Sequence, residues 1–163
     1  MKMRSWPFAA VLATVLLPPA VGAQPTSAFD VSMTVVPDCI ISATGIDFGQ
    51  AQGVLAGVVS GSGSVRVTCT NTTPFKVGLD DGNVVGPQAG TRYMESATTS
   101  SKLAYELFHD TATARWGNTP DTDTVGGTGD GRLQIMRIRG EVPMQDSPAP
   151  GFYRATVTAT VFF

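Results

Sequence analysis

His109 is the only histidine in the chain, so it is the first candidate for acid–base chemistry. It ends the apolar run Leu103–Phe108 and is followed by Asp110. A Ser-His-Asp hydrolase also needs a serine on a sharp turn, and the pattern Gly-x-Ser-x-Gly does not occur in this sequence. The serines around Gly61–Gly63 are typical of a flexible loop. We therefore predict a surface histidine at a strand end, and keep a small secreted hydrolase using His109 as a third hypothesis.

Two pairs of carboxylates, Asp80-Asp81 and Asp121/Asp123, could serve as an acid–base pair or bind a cation. Both pairs lie in turn-like sequence, where aspartate is favoured because it hydrogen-bonds its own backbone. The second pair begins a glycine-rich stretch, but Val125 stands where an EF-hand loop needs an oxygen ligand. One histidine and two separated cysteines give no zinc pattern. We predict no catalytic, metal or cofactor site, and a protein that is not an enzyme.

Trp116 and Tyr93 are the aromatic residues that could line a sugar site. Packing in the core or at a strand edge is the commoner role of such side chains. A secreted carbohydrate-binding module or adhesin that does not polymerise is therefore kept as the main alternative function.

The first 23 residues have the layout of a secretory signal peptide. Lys2 and Arg4 precede the mostly apolar run Phe8–Leu17, and the small residues Val21–Ala23 offer a cleavage site. A membrane anchor is the alternative, but the apolar run is shorter than the ~20 residues that a spanning helix needs. We predict a signal peptide over residues 1–23 and export of the remaining chain.

Charge and cysteine content describe the exported part further. Loss of Lys2 and Arg4 leaves 9 basic and 13 acidic residues, a net charge of about −4, which argues against nucleic-acid binding. Cys39 and Cys69 are the only cysteines. An even number of cysteines in an exported chain predicts a disulfide. Closing a loop of about 30 residues would contribute on the order of 3–4 kcal/mol.

Alternation of apolar and polar residues predicts an all-β domain. Short strands separated by turn signals favour a sandwich or barrel. The alternating runs lie at 29–35, 65–69, 75–79, 103–107, 132–139 and 153–163. The run at 132–139 is a basic strand that carries Leu133 and Ile135, with Ile138 as a further candidate. We expect a helix or irregular excursion at Thr91–Lys102, and mobile loops at Val54–Ser64 and Asn118–Gly131.

The two terminal runs carry the strongest apolar faces. The first places Phe29, Val31, Met33 and Val35 on one side, a few residues after the predicted cleavage site. It is either the first strand of its own sheet or a tail that adds to the sheet of a neighbouring subunit. The closing run places six residues on one side: Tyr153, Ala155, Val157, Ala159, Val161 and Phe163. The pattern by itself does not separate the two interpretations of the first run.

Several short motifs occur in a characteristic order. They are Ile46-Asp-Phe48-Gly49, Val65-x-Val67-Thr68-Cys69-Thr70, Pro74-Phe75-x-Val77-x-Leu79-Asp80-x-Gly82-Asn83, Arg92-Tyr93-Met94, Leu103-x-Tyr105-x-Leu107-Phe108-x-Asp110, Trp116-Gly117, Gly140-x-Val142-Pro143-x-Gln145 and Gly151-x-Tyr153-x-x-Thr156-Val157-Thr158. With the apolar strand before Cys39, they cover nearly the whole exported chain. In this order the sequence resembles the spore coat protein U domain family, which includes the Csu-type pilins of archaic chaperone–usher pili.

The resemblance implies an incomplete immunoglobulin-like β-sandwich over residues 38–163, completed by a donor strand from a neighbouring subunit. Residues 24–37 would be the donor segment, with Phe29, Val31, Met33 and Val35 as its inserting side chains. The closing strand from Tyr153 to Phe163 would border the acceptor groove and pair with a chaperone. The implied partners are a periplasmic chaperone, an outer-membrane usher and other copies of this or related pilins. The implied location is a fimbria at the cell surface, in a shaft, minor or tip position.

Overall fold

The computed structural model describes residues 22, 24–51, 55–146 and 148–163. Apart from Gly22, the predicted signal peptide lies outside these residues. The chain divides into an N-terminal unit up to Thr34 and a compact domain from Val35 to Phe163. Within the described ranges, no helix is long and apolar enough to cross a membrane.

Nine strands, and no helix, are found in the described ranges, which confirms the predicted all-β class. The strands are β1 (Cys39–Thr44), β2 (Val59–Cys69), β3 (Pro74–Leu79), β4 (Arg92–Ser96), β5 (Lys102–His109), β6 (Val125–Thr128), β7 (Gln134–Val142), β8 (Tyr153–Arg154) and β9 (Ala159–Phe162).

The strands form two antiparallel sheets that enclose one apolar core. The larger sheet has the order β1-β2-β7-β5-β4-β8, and the smaller has the order β6-β3-β9. Val65 and Val67 of β2 and Val77 of β3 are fully buried, and they belong to the same apolar cluster. Because the cluster takes side chains from both sheets, the fold is a β-sandwich.

The prediction that Val54–Ser64 is a mobile loop is wrong for Val59–Ser64, and Val54 lies outside the described residues. From Val59 the chain is already strand, and β2 pairs with β7 over most of its length and with β1 over Ser64–Cys69. Its glycines have a packing reason: a Cβ at Gly61 or Gly63 would lie 2.7–2.8 Å from the side chain of Ile46. The small residues therefore let the segment after β1 lie close over the inner face of β2.

Two further segment predictions were wrong. Thr91–Lys102 is neither helix nor irregular excursion, because it contains β4 and the turn that leads into β5. The stretch Asn118–Gly131 is not a plain loop, because β6 lies within it and pairs with β3. In both places short strands with many small or polar residues are stabilised by pairing with neighbours, which local composition does not reveal.

The strand predicted at 132–139 exists as β7, and of the three apolar residues predicted to lie in it only Ile138 is buried. Met136 and Ile138 are buried, whereas Leu133 and Ile135 are each 57% exposed. Apolar residues occur on both faces of this segment, so the alternation allowed either choice. The charged residues Arg137 and Arg139 decide it, because they alternate with the buried residues and point outwards.

The predicted disulfide is confirmed between Cys39 and Cys69. The two residues face each other in the antiparallel register of β1 and β2, and Cys69 is buried in the core. The bridge therefore fastens the beginning of an edge strand to an interior strand of the larger sheet.

Candidate strand-acceptor site

Two strand edges stand open beside each other. β1 is the last strand at one side of the larger sheet, and β9 is the last strand at one side of the smaller sheet. The two approach with Cα atoms within 8 Å, but they share no ladder in the described part of the chain. Each therefore presents main-chain N–H and C=O groups that are free to pair with an added strand.

The side chains along these edges belong to the core and yet remain partly exposed. Ile41 of β1, Ala159 and Val161 of β9, and Val157 before β9 all pack against the buried cluster and are half-buried. Core side chains usually lose nearly all contact with water in a completed sandwich. The apolar interior therefore reaches the surface along this pair of edges.

The closing run is not one continuous strand. Tyr153 lies in β8 and pairs with Ser96 of β4 in the larger sheet, whereas Ala159–Phe162 forms β9 in the smaller sheet. Ala155 and Val157 lie in the segment that crosses between them, half-buried on the inner side, and Phe163 is 60% exposed. The predicted apolar face is present from Tyr153 to Val161, but it begins in the larger sheet and ends in the smaller one.

A turn far away in the sequence holds the crossing segment in place. The Asp80 side chain accepts a hydrogen bond from the main-chain N–H of Thr158 at 2.8 Å, and the Asn83 side chain accepts one from Thr156 at 2.7 Å. The main-chain N–H groups of Asp80 and Asn83 donate back to the carbonyls of Thr158 and Thr156. Gly82 between them has a φ of +82°, which favours glycine. We call Asp80–Asn83 the clamp turn; the sequence predicted the turn but not its partners.

A buried arginine supports the clamp turn from the inside. Arg92 is fully buried and donates hydrogen bonds to the carbonyls of Leu79, Asp80 and Trp116 at 2.7–2.8 Å. Its Nη1 has no hydrogen-bond partner, and the nearest carboxylate oxygen, on Glu106, lies 3.6 Å away. Burial, followed by the nearby Arg115, lowers the pKa of Arg92 from its usual value. The guanidinium stays charged nonetheless, since arginine is protonated in proteins at ordinary pH.

Tyr105 lies behind the same turn. It is buried and stacks edge-on against Phe48, with ring centroids 6.3 Å apart. Burial raises the pKa of Tyr105 to about 12. Tyr105 is therefore a neutral core residue that packs behind the clamp turn at ordinary pH.

The N-terminal segment presents its alternating apolar side chains to solvent. Phe29, Val31 and Met33 are 86–88% exposed, and Val35 is 72% exposed. No strand is assigned between residues 24 and 38. An apolar run of this kind outside any sheet is unusual in a soluble domain, where such patches mark interaction sites.

The residues considered for catalysis or sugar binding are packed against other residues of the domain. Trp116 is 1% exposed, and its indole N–H donates to the carbonyl of Val77 at 2.8 Å. Tyr93 is also buried. His109 ends β5 as predicted, is half-buried, and stacks edge-on against Trp116 with ring centroids 5.2 Å apart. The suggestion that Trp116 and Tyr93 line a sugar site is wrong, because neither ring is available to a ligand.

The acidic turn residues are likewise engaged in local structure. Asp81 pairs with Arg115 and Asp121 pairs with Lys76. Asp123 accepts a hydrogen bond from the main-chain N–H of Thr119. A shallow cavity of about 290 Å³ lies between the two turns. Among the described residues, no group of three or more His, Cys, Asp or Glu side chains is arranged to hold a metal ion.

The chain is therefore an antiparallel β-sandwich with one disulfide and two adjacent open strand edges. Over residues 25–160 the chain matches the Spore Coat Protein U domain family, and it belongs to that family. The resemblance found in the sequence is thereby confirmed. A search of the curated proteins found no match.

The chain is similar to two solved structures of pilus proteins. One is the crystal structure of the CsuC–CsuE chaperone–tip adhesion subunit pre-assembly complex from the archaic chaperone–usher Csu pili of Acinetobacter baumannii. It is 27% identical with a TM-score of 0.59, and the match covers 80% of this chain and 41% of that chain. This chain therefore spans less than half of that one. The E. coli Hda pilus minor tip subunit HdaB is 18% identical with a TM-score of 0.43, covering 76% of this chain and 82% of that chain.

Proposed function

We propose that the protein is a structural subunit of a surface pilus, assembled by the chaperone–usher pathway through donor-strand exchange, and that it supports adhesion or biofilm formation. Its partners are a periplasmic chaperone, an outer-membrane usher and other copies of itself or of related pilins. The observation that carries the proposal is the pair of open edges, β1 and β9, with core side chains half-exposed between them. The family and the Csu-pilus structural likeness support it.

The open edges need a strand from elsewhere. Unpaired edges with apolar side chains are sites of aggregation unless another chain covers them. A chaperone strand along β9 would cover them before assembly, and the tail of another subunit would replace it afterwards. Neighbouring strands lie about 4.8 Å apart, so a strand bonded to both β1 and β9 requires about 9.6 Å between them. Where the two edges now approach within 8 Å, the donated strand must move them apart.

The tail is suited to be that strand. Phe29, Val31, Met33 and Val35 alternate with polar residues, so a strand formed here inserts all four on one side. Burying them would contribute ~6–12 kcal/mol gross, at ~1.5–3 kcal/mol each. Ordering the tail removes part of this gain. Dissociation exposes the whole groove at once, so the resulting polymer should be long-lived.

The first test is a gel of the exported protein, unboiled against boiled, for wild type and for a deletion of residues 28–36. We expect wild type to give a ladder that collapses on boiling and the deletion to give none, because non-covalent assembly depends on the tail. A monomer in both lanes, with the deletion variant unfolded, would show that the segment is an internal strand and would overturn the proposal.

Point substitutions test whether the side chains of the tail insert into the groove, and not only whether the tail must be present. Val31→Asp and Met33→Asp place a charge on the inserting side, and we expect either one to abolish the ladder while the chaperone-bound subunit stays folded. Ser32→Asp is the matched control, since it adds the same charge on the opposite side of the same strand. Equal ladders from Val31→Asp and Ser32→Asp would contradict the donor role.

No catalytic step is part of this function, because strand exchange forms and breaks only hydrogen bonds and apolar contacts. Fold and family are those of structural pilin subunits rather than of enzymes. We infer that His109 is structural, in keeping with its stacking on the buried Trp116. The carbohydrate-binding alternative depended on Trp116 and Tyr93, and both side chains are buried.

A further inference from the structure

An apolar surface lies on the outer face of the larger sheet, at the end where the domain begins. Ile40 of β1 is 69% exposed, and Leu133 and Ile135 are each 57% exposed. In the strand register Ile40 pairs with Thr68 of β2, and Ile135 pairs with Arg66, which lies two residues before Thr68 in β2. A hollow of about 190 Å³ opens beside Ile40, between Thr68 and Gly131. We call Ile40, Leu133, Ile135 and this hollow the Ile40 surface.

The chain is fixed to the domain immediately next to this surface. The main-chain N–H of Asp38 donates to Thr70 Oγ1 at 3.2 Å, and the carbonyl of Asp38 accepts from the N–H of Thr70 at 2.9 Å. Cys39 follows and is bonded to Cys69. Asp38 and Thr70 both line the hollow of the Ile40 surface. The tail therefore leaves the domain at the rim of the hollow.

Very little chain separates this anchor from the last proposed donor residue. Only Val36 and Pro37 lie between Val35 and Asp38. Three Cα–Cα steps span at most about 11 Å when the chain is extended. Pro37 also fixes its own φ and disfavours a helical turn at Val36. Whatever holds Val35 in a groove must therefore lie within about 11 Å of Asp38 and thus beside the Ile40 surface.

We propose that the Ile40 surface is a second contact between subunits, covered in the polymer by the copy of this chain that accepts this tail. The inference rests on the proposed function. The copy that holds the tail is the body that the short linker forces to this place, and an exposed cluster of Ile and Leu side chains is the chemistry that such a contact requires. The contact would restrict bending between successive subunits and would slow their separation.

The test places the photo-reactive residue p-benzoyl-phenylalanine at position 40 of the full-length exported protein. Val85 is the matched control position, since it is an apolar residue that is 84% exposed in the loop after the clamp turn. After irradiation we expect position 40 to give a boiling-resistant dimer, with the cross-linked peptide coming from a second copy of the chain. Position 85 should give little or no dimer, because a benzophenone outside the contact has no second chain within reach.

The outcomes distinguish the inference from the function on which it rests. A normal tail-dependent ladder with no dimer from position 40 overturns the inference and leaves the proposed function standing. A cross-link from position 40 to the chaperone, the usher or another protein instead of a second copy also overturns it. A ladder that persists without the tail overturns the proposed function, and the inference with it.

A substitution gives an independent readout. Leu133→Ser removes an exposed apolar side chain, so the folded monomer should keep its stability and strand exchange should still proceed. We expect the half-life of the polymer at a fixed elevated temperature to fall by about tenfold, corresponding to the loss of ~1.4 kcal/mol of contact. Val85→Ser is the matched control and should leave the half-life unchanged. Equal half-lives for the two variants would contradict the second contact.

Discussion

Arg92 has the most demanding environment of any single side chain described above. It is fully buried, and it donates hydrogen bonds to three main-chain carbonyls. A buried charge is tolerated only where polar partners replace the water that it lost. Arg92 thereby joins the end of β3, the clamp turn and the loop before Trp116 into one unit.

Arg92→Met should therefore lower the free energy of unfolding by about 3 kcal/mol or more, because it leaves buried carbonyls without donors. Urea unfolding of the mature chain, followed by circular dichroism, measures the change. Arg137→Met is the control, since Arg137 lies on the exposed face of β7 and its replacement should change stability by no more than about 0.5 kcal/mol. Equal effects of the two substitutions would show that Arg92 has no special structural role.

At the scale of elements, β9 depends on contacts that lie outside its own ladder. β9 pairs with β3 over four residue pairs only, and the segment before it is held by the side chains of Asp80 and Asn83. A short edge strand with one neighbour is among the least stable parts of a sheet. The clamp turn compensates by fixing the segment from which β9 starts.

Asn83→Ala removes the acceptor for the N–H of Thr156 and should cost about 1 kcal/mol. Its effect should be concentrated on residues 155–162, whose amide hydrogens should exchange faster than in wild type. Asn83→Asp is the conservative variant, and it should restore slow exchange because it keeps the accepting oxygen. Rapid exchange in both variants would show that the clamp turn does not depend on this hydrogen bond.

The same elements show what a sequence does and does not predict. Alternation identified the runs around Val65, Val77 and Leu107, which are all buried, because those segments are apolar on one face only. It did not separate the exposed Ile135 from the buried Ile138, because that segment carries apolar residues on both faces and their burial depends on the pairing of β7. The contacts of Asp80 and Asn83 join residues 78 and 73 positions apart. Local pattern contains no signal of contacts between such distant residues, so the apolar closing run was predicted and the clamp turn that holds it was not.

For the whole molecule, the disulfide is the feature that acts on the unfolded chain as well as on the native fold. The bridge joins residues 30 positions apart, so it restricts the unfolded ensemble and should stabilise the fold by about 3–4 kcal/mol. The double variant Cys39→Ser/Cys69→Ser should therefore melt well below wild type in thermal unfolding. Reductant should bring wild type down to the same temperature and leave the double variant unchanged. A double variant that melts with the wild type would show that the bridge contributes nothing.

The position of this bridge also decides how the domain responds to being pulled. If a filament is stretched, tension enters each domain through the linker before Asp38 and arrives at Cys39 within one residue. Without the bridge, the residue pairs between β1 and β2 would separate one after another, because β1 is an edge strand held by a single neighbour. With it, the load passes covalently into Cys69 at the end of β2, a strand that pairs with β1 over Ser64–Cys69 and with β7 over Val59–Val67. In the proposed polymer the bridge would therefore carry the load past β1 into an interior strand of the larger sheet, and the donated strand, which is held by hydrogen bonds and apolar contacts alone, would be the weakest mechanical link.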